Sequence, residues 1–168
     1  AVAAQAQNET LANRQPLYFD INDWDIDADS INYAKHIAPI LQRSCVQCHR
    51  PGGGGPMSFT SYEEVRPWAP VIMYRTAIRD RMGAMPPWYV EKNIGITDGF
   101  ESDYSLSDLD LAMIQAWARN GAPRGNPAYE PPALVFSDGN DWTLGEPELV
   151  LRSTDQTRPA VGPDWWGD

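Results

Sequence analysis

Cys45, Cys48 and His49 bring two thiols and an imidazole together in the run SCVQCHRPGGGGPMSF, which holds both cysteines of the chain and one of its two histidines. Such a group can bind zinc, cycle between dithiol and disulfide, or hold a haem through two thioether bonds with the imidazole on iron. Zinc needs four ligands, and His36 is the one remaining Cys/His candidate elsewhere in the sequence. A thioredoxin-like pair opens a helix that follows a strand, whereas the flanks here read as helical. A disulfide across two intervening residues would close too small a loop to remove much unfolded-state entropy. The bland reading is a buried thiol pair beside an unrelated histidine. Haem attachment explains more. Two thioethers one helical turn apart grip one edge of a porphyrin, and His49 then projects under the iron. Gly52 to Gly55, with almost no side chain, let the backbone pass close to the macrocycle.

An iron held by His49 has a second axial position, and five methionines compete for it. Met85 follows the helix stop at Gly83 and precedes Pro86 and Pro87, where a stiff extended loop can present a thioether; Met82 is the near rival. Met113 falls on the apolar face of a helix and is expected in the core. Met73 and Met57 are expected to pack. The same packing role is the plain alternative for Met85.

These groups need a scaffold. With 168 residues the chain can bury a real core without a disulfide staple. Its net charge of −10 repels phosphate backbones, which makes nucleic acid a poor partner. No apolar run approaches the ~20 residues of a transmembrane helix. The opening AVAAQAQNET has the small residues of a region around a signal-peptidase site and is read as a mature, exported N-terminus.

Residues 1–29 are expected to form an arm, with Leu17, Phe19, Ile21 and Trp24 alternating along an extended strip. From Tyr33 the spacing of Ile37, Ile40, Leu41 and Ser44 predicts a helix that starts within a turn of Pro39 and runs toward Cys48. Ser61 and Glu64 have capping-box spacing. Beyond them the sequence predicts a short turn, then a helix from about Trp68 to Arg81 with a stripe of Trp68, Val71, Ile72, Arg75 and Ile78. The clearest helix is LSDLDLAMIQAWARNGAP, with a Ser107/Asp110 capping box, a Leu106/Leu111 staple, a face of Leu109, Ala112, Met113, Ala116 and Trp117, and a stop at Gly121 and Pro123. Residues 126–168 are Pro-rich with short β-prone pieces. The domain expectation is an arm over 1–29, a haem-binding domain over 30–125 and an extension over 126–168.

A helix ending in Cys-x-x-Cys-His, a Gly-Pro loop, a Met-Pro segment and a final helix opened by LSD resemble the class I cytochromes c. More closely, APILQRSCVQCHRPGG, PMSFTSYEEVRPWA, MPPW, SLSD, AWARNGAPRG and GEPELVL resemble a bacterial monohaem cytochrome c domain found at the N-terminus of secreted multidomain proteins. The resemblance covers roughly residues 31–151. It implies an all-α cytochrome c fold, three to four helices around one covalent haem c, with irregular N- and C-terminal extensions. It implies thioether bonds from Cys45 and Cys48, His49 as proximal ligand and Met85 as distal ligand. Pro56 resembles the proline whose carbonyl accepts His49 Nδ1–H. Trp68, Arg66 and Trp88 are implied as neighbours of the haem edge or propionates. The chain departs from the family at Tyr89, where relatives carry histidine, and in the loop VEKNIGITDGFESDY.

The function implied is single-electron transfer outside the cytoplasm, between a redox protein donor and acceptor, with no enzyme activity of its own. The alternatives are a haem-bearing subunit of a larger oxidoreductase assembly and a haem protein with an open distal site. Trp165 and Trp166, in GPDWWGD, are expected either to fold back on the haem domain or to dock on a partner subunit.

Overall fold

A computed structural model describes residues 15–79, 82–87, 103–137, 142, 145–152, 154 and 155. Trp88, Tyr89, residues 90–102 of the loop that follows them, Trp165 and Trp166 lie outside the described residues. The described residues are helical with no strand, as the all-α expectation requires. The chain divides into two compact units, Ala1–Val135 and Phe136–Asp168. In the second, no helix is present among the described residues.

Asn32 opens the first helix, its side chain accepting the Lys35 N–H. A π-helical turn, Tyr33–Ile37, leads into α1, Ala38–Ser44, with Pro39 in the first turn where its missing N–H costs nothing. The remaining N–H groups at this end are met from far along the chain: Tyr33 donates to Pro123 O (2.9 Å) and Ala34 to Arg124 O (2.9 Å). The predicted face of Tyr33, Ile37, Ile40, Leu41 and Ser44 is buried.

The Ser61/Glu64 capping box is present and opens a single turn, α2, Tyr62–Val65. A 3-10 turn over Arg66–Trp68 carries the chain into α3, Ala69–Ala77. This helix stops four residues short of the expected Arg81, because Arg79 turns left-handed (φ 37°). Its last carbonyls are taken by other segments: Leu17 N–H bonds Ala77 O (2.8 Å) and Met85 N–H bonds Arg75 O (3.0 Å). The expected stripe also divides. Of its residues Ile72 and Ile78 are buried, beside Ala69 and Thr76, while Trp68, Val71 and Arg75 lie with Tyr74 on an exposed arc on the other side.

The helix α4, Asp108–Arg119, begins with the Ser107/Asp110 box and ends before Gly121 (φ 81°). It packs on α3 and on the helical turns of the arm. Trp117 is fully enclosed and its indole N–H donates to Pro123 O (3.0 Å). Met113, expected in the core, is half-buried, whereas Leu111, Ile114 and Gln115 have no exposed surface.

Gln115 explains why residues 15–30 belong to the first unit. Its Oε1 accepts Phe19 N–H (2.8 Å) and its Nε2 donates to Leu17 O (2.8 Å), so one buried amide pairs with the arm as a strand neighbour would. Ile21 is buried with it. Gln115→Leu leaves those arm groups without partners and should cost about 1–3 kcal/mol in denaturant unfolding, with Leu17–Trp24 gaining hydrogen exchange first.

Candidate functional site

The segment after α1 winds in one tight turn. Cys45 N–H bonds Leu41 O (2.8 Å), Cys48 N–H bonds Cys45 O (3.1 Å) and His49 N–H bonds Cys45 O (2.9 Å), so the two thiols and the imidazole share one turn. Both cysteines are free and partly covered. Burial pushes the Cys45 thiol up to about 12, against a smaller opposite pull from Arg43, so it is a neutral thiol at ordinary pH.

The glycine loop folds back on this turn. Gly53 N–H bonds Arg50 O (2.9 Å) and Gly55 N–H bonds Cys48 O (2.8 Å). A Cβ at Gly55 would stand 2.6 Å from His49 Nδ1 and 2.9 Å from His49 Cγ, so the ring lies where only a glycine backbone leaves room. At Gly53 a Cβ would overlap the Cys48 carbonyl oxygen.

His49 Nδ1 faces the Met57 carbonyl at 3.2 Å. The acceptor is thus Met57, one residue past the expected Pro56, which is exposed. With the proton on Nδ1 donated to that oxygen, the Nε2 lone pair is left for a metal. Phe59 stacks on the imidazole, ring centroids 4.5 Å apart and planes 19° apart, and its N–H bonds His49 O (2.9 Å). Met57, expected to pack, thus serves His49 through its carbonyl, and Phe59 carried no signal in the sequence beyond its position just past a glycine run.

Met85 is tied to α3 through Arg75: its N–H bonds Arg75 O, and Arg75 Nη1 donates to Gly83 O (3.1 Å). Met85 is 36% exposed and Met82 fully so. Val71 (45%), Tyr74 (49%) and Trp68 (38%) leave much apolar surface on the open arc of α3, the helix that holds the Met85 loop.

The donor set fits a haem. Two free thiols and an imidazole share a turn, with no hydrogen-bond partner for Nε2 among the described residues and a glycine cradle against the ring. No group of three or more His, Cys, Asp or Glu residues suited to a bare metal ion occurs among the described residues. Residues 32–94 match the family model described as Cytochrome C oxidase, cbb3-type, subunit III. That supports a c-type cytochrome domain. Its fold is all-α, its cofactor is covalently bound haem c, and its role is haem-based electron transfer. No curated protein and no solved structure matches the chain. No helix among the described residues is long and apolar enough to cross a membrane.

Proposed function

We propose that this cytochrome c domain is a monohaem electron carrier working outside the cytoplasm, with residues 30–125 as its haem-bearing part. The observation that carries the reading is the turn of Cys45, Cys48 and His49 closed by the Gly55 backbone. When bound, the haem supplies a one-electron iron couple. Cys45 and Cys48 would hold it by thioethers, and His49 Nε2 and the Met85 sulfur would be the iron's protein ligands. Met57 O keeps the imidazole proton on Nδ1 and raises the basicity of the ligand. Trp68 and Trp88 remain proposed haem neighbours by family resemblance. His/Met ligation raises the potential and leaves no open position for a substrate. The reduced protein should therefore bind carbon monoxide poorly. Rapid, tight binding at a spectroscopically simple site would instead identify an open distal position.

The net charge of −10, deepened by two haem propionates, favours a donor or acceptor with a basic docking surface. Electron exchange with such a partner should slow steeply as ionic strength rises. The matched family is named for an oxidase subunit. That name supports a second reading, in which the haem serves a fixed partner in a larger oxidoreductase assembly and the terminal extensions supply the contacts.

A further inference from the structure

Glu64 does more than cap a helix turn. Its Oε2 accepts Ser61 N–H (3.1 Å), the contact a capping box requires, and also Thr60 N–H (3.0 Å), Thr60 Oγ1–H (2.8 Å) and Ser58 Oγ–H (2.8 Å). Four donors from Ser58, Thr60 and Ser61, on either side of Phe59, converge on one carboxylate oxygen. The Ser107/Asp110 box has no such excess: Asp110 Oδ2 takes Ser107 N–H and Ser107 Oγ–H, and its further partner is Arg43.

The segment gathered by Glu64 is the one that touches His49. Met57, at its edge, supplies the carbonyl opposite Nδ1. Phe59, in its middle and 7% exposed, lies flat on the imidazole and bonds His49 O through its own N–H. A His ring held only by its Nδ1–H bond can still rock about the Cβ–Cγ axis. A stacked ring removes that freedom, provided its backbone is itself fixed. Ser58 and Thr60 flank Phe59 on both sides, and Glu64 holds both.

We infer that Glu64 is a positioning residue for the His49 imidazole, acting through Ser58, Thr60 and the stacked ring of Phe59. The inference rests on His49 being the proximal ligand. Loosening the clamp weakens the Nδ1–H bond to Met57 O, makes the ligand less electron-donating and lets the ring sample more orientations. The oxidised iron then loses stabilisation relative to the reduced iron.

The test uses the haem-loaded full chain in three variants: Glu64→Gln, Phe59→Leu and Ser107→Ala. Gln keeps a capping oxygen but loses the charge, and Leu keeps the apolar volume but loses the flat stack. Ser107→Ala removes a cap from α4, away from His49, and reports the effect of lost stability alone. The expected result is an upward shift in reduction potential and broadened low-spin g values in Glu64→Gln and Phe59→Leu, with neither change in Ser107→Ala. Unchanged potential and g values in the first two, or the same changes in all three, overturn the inference. Should Glu64→Gln fail to fold, Ser58→Ala and Thr60→Val, each of which removes one hydroxyl donor to Glu64, decide it by the same two readings. A wild-type spectrum without histidine ligation refutes the underlying reading instead, so the two failures are distinct.

Discussion

Met85→Ala should abolish the sulfur-to-iron charge-transfer band and lower the reduction potential by a sizeable part of the ~0.8 V range that axial ligands set, while Met82→Ala leaves both nearly unchanged. The two methionines are three residues apart, so composition does not separate them. Their backbones do. Met85 N–H is bonded to Arg75 O on α3, the Arg75 guanidinium also holds Gly83 O, and Pro86 and Pro87 stiffen the far side. Met82 is fully exposed on the turn before Gly83, whose φ is 87°. A thioether ligand needs a loop that returns it to one place, and only Met85 has that tether. Loss of the band in Met82→Ala and its survival in Met85→Ala would reassign the ligand.

Gly55→Ala should reduce haem incorporation and perturb the His49 signature, whereas Gly54→Ala should be close to neutral. An added methyl at 55 meets His49 Nδ1 at 2.6 Å and Cys48 O at 3.0 Å, so ring or backbone must move; overpacking of this kind costs about 1–3 kcal/mol. At 54 nothing lies within 4 Å of the new methyl. Thermal unfolding and haem yield of the pair check this. Equal behaviour of the two variants would mean that the glycine run gives flexibility rather than room for the imidazole.

The local geometry was legible because its causes are local. Cys45, Cys48 and His49 occupy one turn by spacing alone, and the Ser61/Glu64 and Ser107/Asp110 boxes follow from residues three apart. Gly121 ends α4 where its lack of a Cβ permits a positive φ. What escaped reading depends on partners distant in sequence. The α3 helix stops at Ala77, where Leu17, far back in the chain, claims the Ala77 carbonyl, a partner no window around Arg81 contains. Gln115 lies outside the apolar face read for its helix, yet it is fully buried because the arm gives its amide two backbone partners. The shift from Pro56 to Met57 at His49 Nδ1 is a one-residue difference in how the loop is wound, and composition does not specify it.

The stripe on α3, where Ile72 and Ile78 are buried, held only in part for a related reason. Trp68, Val71 and Arg75 have helical spacing with Ile72, but helical spacing marks an apolar surface without saying what covers it. Protein covers Ile72, and the arc of Trp68, Val71 and Tyr74 is open.

The most direct measurement is the intact mass of the purified protein under denaturing conditions. A chain carrying covalent haem through Cys45 and Cys48 should run at the polypeptide mass plus one haem, with its colour resisting acid-acetone extraction. A mass equal to the bare polypeptide, from a colourless zinc-containing protein or one whose haem is extracted by acid-acetone, would contradict the account at its root.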